Sequence, residues 1–192
     1  MADSTTLDGH GTARAPDPLV VGMVVWLASE LMFFSGLFAA WFTLRANAAH
    51  WPPAGVELAK GRTAAATAIL LGSSITMHLA VVAARKLDRP RSVRWLVVTV
   101  GMGALFLANQ AWEYAEAPFH IDTNAYGSIF YLMTGFHGLH VLGGLIFLLT
   151  IAGVVGGRSK APAARTVEMA ALYWHFVDVV WVVMFTVVYL IS

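Results

Sequence analysis

VEMAALYWHFVDVVWVVMFTVVYLI, residues 167–191, is the stretch that decides the fold. It is longer than the roughly 20 apolar residues that carry a helix across a bilayer. It contains no Lys or Arg and shows no strict alternation of apolar and polar positions. A barrel strand would be about half as long and would alternate. Yet a histidine and an aspartate, His175 and Asp178, stand near its middle. Ionisable side chains at that depth are costly, so they face the inside of a bundle and find partners there.

Four more runs of the same kind precede it, at 19–44, 63–84, 93–115 and 126–155. The breaks between them are polar and rich in proline: WPPAGVELAKGR, RKLDRPRSVR, EAPFHIDTN and GGRSKAPAAR. The whole chain is 58% hydrophobic and only 12% charged, about half the charge of an average soluble domain. The spacing therefore predicts an all-α, polytopic membrane protein, a bundle of five transmembrane helices over residues 19–192. Residues 1–18 are polar, without an apolar core of the signal-peptide kind, and read as a disordered cytoplasmic tail. Nine of the twelve Lys and Arg fall in the tail and in the second and fourth breaks. That bias predicts a cytoplasmic N-terminus and an outward C-terminus.

A formal net charge of +1 gives no electrostatic case for nucleic acid. The chain has no cysteine, which excludes disulfides, thiolate-held clusters and cysteine-based copper sites.

The ionisable residues within the spans are the candidates for function. Glu30 lies about 17 Å into the first span at 1.5 Å per residue. An unpartnered charge there costs about 2.5–3.5 kcal/mol on insertion scales. Glu30 is therefore expected to be neutral and hydrogen-bonded, or ion-paired with a histidine of matching depth, His140. His137 and His140 stand at i, i+3 in the fourth span, His175 and Asp178 at i, i+3 in the fifth, and His78 in the second. The third span adds Asn109, Gln110 and, near its outer end, Glu113. A metal or haem site competes with plain interhelical hydrogen bonding for these histidines. Carboxylate-bridged metal sites in bundles repeat Glu-x-x-His on two helices, and no span here carries that motif, so no metal ligand is assigned. His78, His137, His140, His175 and Asp178 are read as an interhelical polar network. Gly135, Gly138, Gly143 and Gly144 are positions where helices can approach closely. Trp174, Asp178, Trp181 and Phe185 share one face of the fifth span, as packing or as a lipid-facing seam. Trp26, Trp51, Trp174, Trp181, Glu113 and Arg85 are candidates for a lipid cleft or interface; Trp51, ahead of the double proline, suits an interface anchor. The basic turn at 85–94 suits anionic headgroups.

Five stretches go further by resemblance: WLASELMFFSGLFAAWF (26–42), WPP (51–53), EYAEAPF (113–119), YGSIFYLMTGFHGLHVLGG (126–144) and YWHFVDVVW (173–181). Together and in this order they resemble cytochrome c oxidase subunit III, in the short form that lacks the first two of seven helices. The resemblance implies a subunit without haem or copper of its own. It would pack against the catalytic subunit I and near the copper-bearing subunit II of a respiratory haem–copper oxidase in a bacterial plasma membrane, with a larger respiratory supercomplex as a further setting. The haems and copper would sit in those partners. The complex would reduce oxygen to water and pump protons. This chain would bind phospholipid, help oxygen reach the active site and sustain proton uptake. Glu30 matches the buried carboxylate of the family's Ser-Glu motif. Two related readings stay open: subunit III of a quinol oxidase, whose members more often carry Asp at the Glu30 position, and an accessory protein of nitric oxide reductase. A proton-coupled transporter using Glu30 and Asp178 is a third, although the chain lacks the internal repeat such proteins show.

Overall fold

A computed structural model describes residues 17–56, 58–157 and 163–191, with the side chain of Ala163 excepted. The expected tail therefore lies almost wholly outside the described residues. Five helices follow one another: α1 Pro18–Asn47, α2 Lys60–Arg85, α3 Arg89–Glu116, α4 Ala125–Gly156 and α5 Ala163–Phe185, the last running into a wider π-helical turn at Thr186–Leu190. Each is long and apolar enough to cross a membrane.

The first four helices are longer than their apolar runs, and polar residues build the starts of α1, α3 and α4. The Asp17 carboxylate accepts from Leu19 N, with Pro18 in the first turn, so α1 starts one residue ahead of the expected boundary. Asp88 accepts from Arg91 N and Asn124 from Gly127 N. Each of these side chains satisfies a backbone N–H that the helix itself leaves open.

Helices α2, α3, α4 and α5 close a four-helix ring in which each packs on two neighbours, and α1 lies outside it along the seam of α4 and α5. The pattern of α5 explains its central position. Val167, Ala170, Trp174, Val177, Trp181, Met184 and Val188 are all buried. Their spacing alternates three and four, the heptad repeat that fills the seam between helices. Helix α1 has a thinner version: only Leu27, Phe34 and Trp41, seven apart, are buried. Met23, Glu30, Leu37, Phe38 and Leu44 are half-buried, and the opposite face is open, with Met32 77% exposed.

Trp174 and Trp181 are 0% exposed, so the tryptophan face of α5 is packing, and neither residue lines a lipid cleft. Each indole N–H has an acceptor on α2: Trp174 Nε1 donates to Ser73 Oγ at 2.8 Å and Trp181 Nε1 to Thr67 Oγ1 at 2.9 Å. A buried indole usually finds such an acceptor, although the equally buried Trp41 has none among the described residues. The close approach depends on Gly144 and on Gly103, a position that the histidine-rich α4 motif does not point to. A Cβ at Gly103 would stand 2.7 Å from Trp174 Cη2 and Leu145 Cδ2; one at Gly144 would stand 2.9 Å from Trp174 Cζ3. Gly135, Gly138 and Gly143 would meet their neighbours only at ordinary contact distance. Gly103→Ala and Gly144→Ala are each expected to destabilise the bundle by about 1–3 kcal/mol, the usual cost of overpacking. Gly138→Ala should be neutral or slightly stabilising through helix propensity. Thermal melting of the three variants in detergent checks the contrast; equal melting of all three would show that the Trp174 seat is not tight.

Candidate functional site

Ion pairs mark both ends of the bundle. At one end Asp17 meets Arg165, and Arg85 Nε donates to Glu168 Oε1 at 2.6 Å. At the other Arg62 donates to Glu116 at 2.6 Å and lies over the Trp112 ring, while Arg45 donates to Ile191 O at 2.8 Å. Arg85 thus ties α2 to α5. Between the two ends the polar residues form separate clusters, not one network.

The first cluster joins α1 to α4. Glu30 Oε2 and His140 Nε2 are 3.0 Å apart, with the two side chains 22% and 17% exposed. His140 Nδ1 is 2.7 Å from Phe136 O. A carbonyl only accepts, so Nδ1 carries its hydrogen. Nε2 then either accepts from a protonated Glu30 or, as imidazolium, donates to a carboxylate. A bare nitrogen lone pair facing a carboxylate would repel it, so the contact holds a proton in either form. Phe33 and Phe34 flank the imidazole, with ring centroids 6.4 and 5.0 Å away. Tyr173 on α5 donates to His140 O at 2.9 Å and stacks on Trp26 of α1 at 5.2 Å. Trp26 stays at the surface, beside the Glu30–His140 contact along α1.

The second cluster joins α2 to α5. Ser74 Oγ is 2.8 Å from His175 Nδ1 and donates to Asp178 Oδ2. His175 and Asp178 are thus linked through a serine that spacing alone gave no reason to select. Asp178 is buried; His78, one turn from Ser74, is exposed.

A third lies at the end of the bundle where α2 begins and α3 and α5 finish. Glu113 is buried and accepts from Thr63 Oγ1 at 3.2 Å and Tyr189 Oη at 2.8 Å. The π-helical turn at Thr186–Leu190 carries that tyrosine. Glu113 is therefore an interhelical clamp and does not line a lipid surface.

His137 corrects the expected network. It is buried, both ring nitrogens lack a hydrogen-bond partner among the described residues, and it lies flat on Trp181 at 4.8 Å with Phe106 edge-on at 5.9 Å. An i, i+3 step turns about 300° around a helix. His140 consequently faces α1 while His137 is rotated into the ring interior. Trp51 packs at the end of the bundle where α1 finishes and α4 begins, edge-on to Trp41 at 5.0 Å and to Tyr126 at 4.9 Å. Among the described residues no three His, Asp or Glu side chains come together as a metal site would require.

Five apolar helices, with one carboxylate–imidazole contact between α1 and α4 and a serine-linked histidine and aspartate between α2 and α5, define a multi-pass helical membrane protein. The chain belongs to the cytochrome c oxidase subunit III family, which it matches over residues 1–192. It is 46% identical over 181 residues to the Mycobacterium tuberculosis protein named "Probable cytochrome c oxidase subunit 3", covering 92% of this chain and 89% of that one. It is 40% identical over 199 residues to cytochrome c oxidase subunit 3 of Thermostichus vulcanus, covering 97% and 98%. Against the Synechocystis protein of the same name it is 41% identical over 191 residues, covering 96% and 80%.

Proposed function

We propose that this chain is the non-redox third subunit of a respiratory haem–copper oxidase in a bacterial plasma membrane, seated against the catalytic subunit and close to the copper-bearing one. The haems and copper belong to those partners. This chain holds phospholipid along α1 and α4, keeps a path for oxygen open and sustains proton delivery. The observation that carries the reading is the Glu30–His140 contact, a proton-holding pair between α1 and α4 whose side chains keep a partly open edge. Family membership over the full length supports it. So do the relatives' names, which speak for cytochrome c as the electron donor.

The N-terminus and the turn between α2 and α3 face the cytoplasm and the C-terminus faces outward, in keeping with the positive-inside bias. Lys86→Cys supplies a single exposed thiol in a cysteine-free background. It is expected to react with an impermeant maleimide only after the cells are opened; labelling in intact cells would reverse the orientation.

The test of the function is to strip this chain from the purified oxidase with detergent and take the spectrum and metal content of both fractions. All haem and copper should stay with the remaining subunits, and the released chain should be colourless. Haem or copper in stoichiometric amount on the released chain would overturn the reading.

A further inference from the structure

Lys86 caps the C-terminal end of α2, and Asp88 caps the start of α3. Beside this turn is a pocket of about 80 Å3, room for several water-sized groups. The buried Ala83 is its floor, and the half-buried Leu79, Val82 and Trp95 are its walls. Lys86, Asp88 and Arg91 stand exposed at its rim.

These groups are unevenly committed. Asp88 Oδ1 accepts from Arg91 N at 3.1 Å. The side chains of Lys86 and Arg91 have no ion-pair partner among the described residues, and the Trp95 indole N–H has no acceptor there. The groups are also ordered by depth. Trp95 lies four residues further into its span than Arg91, about 6 Å. Leu79 lies seven residues further in than Lys86, about 10 Å. From the end of the bundle inward the pocket thus offers cations, then an indole donor at the level tryptophan favours, then apolar side chains. A phospholipid presents its phosphate, its ester carbonyls and its acyl chains in the same order.

Charge selects among headgroups. Lys86, Arg91 and Asp88 together carry one net positive charge, which a single phosphodiester neutralises. Asp88 repels a headgroup with a second negative charge. A carboxylate only accepts, so it also calls for a donor. A hydroxylated headgroup such as glycerol meets both conditions. Choline has no hydrogen to donate, and any zwitterion leaves the net positive charge uncompensated.

We propose that this pocket binds one lipid of the phosphatidylglycerol type, an anionic phosphodiester with a hydroxylated head. The phosphate lies between Lys86 and Arg91, a head hydroxyl donates to Asp88, and Trp95 Nε1 donates to an ester carbonyl. An acyl chain follows Val82 and Leu79. The site is on the α2–α3 hairpin, whereas α1, which packs on α4 and α5, borders the lipid of the proposed function. It requires no particular partner complex.

The full chain, tagged and purified with its native partners, is equilibrated with micelles carrying phosphatidylglycerol and phosphatidylcholine in equal amounts. Native mass spectrometry then counts the lipids retained on this chain. Joint Lys86→Gln and Arg91→Gln should remove one phosphatidylglycerol per chain, with a roughly tenfold fall in occupancy, and leave retained phosphatidylcholine unchanged. Arg94→Gln takes an exposed cation from the same turn that does not line the pocket, and should change occupancy by less than about twofold. Val82→Phe keeps every charge but puts a ring into the slot, and should cut occupancy about as much as the joint substitution. Should the joint variant fail to accumulate, Val82→Phe and Arg94→Gln still decide. An equal loss in Arg94→Gln would show a diffuse attraction of basic residues for an anionic surface and would overturn the site. So would full occupancy in Val82→Phe, or equal retention of the two lipids by the unchanged chain. Displacement of the lipid by millimolar inorganic phosphate would mark the occupant as a soluble anion and would also overturn it.

Discussion

Oxidase assembled without this chain is expected to start at near the normal rate of oxygen reduction and then to inactivate within far fewer turnovers. On the proposed function the redox centres lie in the partner subunits, so the first turnovers should need nothing that this chain holds. What should be lost, on the same proposal, is a lipid-bearing wall beside the catalytic subunit and the sustained supply of protons. Kinetic stability of this kind is a rate of failure, not an equilibrium property. It is read by following oxygen consumption to exhaustion in the intact and the depleted complex. Equal lifetimes would remove the supporting role; an absent initial rate would show that the chain takes part in the chemistry.

The second large effect is expected at Glu30. Helix α1 is held by a buried seam of Leu27, Phe34 and Trp41, by Trp26 stacked on Tyr173, by polar contacts at its two ends, and by one polar contact at mid-depth, Glu30 with His140. Glu30→Ala removes that contact and strands His140 Nε2, a half-buried group, at a cost toward the lower end of the roughly 1–3 kcal/mol of a fully buried unsatisfied one. On so narrow a seam this should loosen α1 from α4 and α5 and weaken lipid retention. Glu30→Gln keeps a donor facing Nε2, because its amide N–H replaces the carboxyl hydrogen. Assembly and lipid content should therefore stay close to normal. Bound phospholipid per complex and hydrogen exchange of α1 amides measure the difference. A Glu30→Gln chain as loose as Glu30→Ala would mean that the carboxylate acts by its charge. Infrared difference spectra supply the independent check. Glu30 donating as a neutral acid gives a protonated carboxyl band that disappears in Glu30→Gln, whereas a carboxylate band at neutral pH would place the shared proton on His140.

The five helices were legible because hydrocarbon-length apolar runs have few other uses, and the proline-rich breaks separate them. Their ends were less legible. Asp17, Asp88 and Asn124 build the starts of α1, α3 and α4 from outside the apolar runs, where a hydropathy pattern stops counting. The pairing of Glu30 with His140 could be read from depth, since only a few ionisable groups share a level in the membrane. The grouping of His137 with His140 failed because three residues along a helix leave two side chains about 60° apart, enough to send one to α1 and the other into the ring. Ser74, Thr63 and Tyr189 were illegible for a different reason. Hydroxyl side chains are common in spans, and nothing in a sequence marks the one that meets a carboxylate across a helix pair. Trp174 and Trp181 were ambiguous between core and lipid surface until Gly103 and Gly144 were seen to make room for an indole.

Purification of this chain by an affinity tag from native membranes in mild detergent, with a reduced-minus-oxidised spectrum and identification of the co-purifying chains, tests the central claim most directly. The account predicts haem bands in the purified assembly, with a catalytic haem–copper subunit and a copper-bearing subunit in equal amounts with this one. A tagged chain that folds, leaves the membrane intact and carries neither haem nor those partners would contradict it.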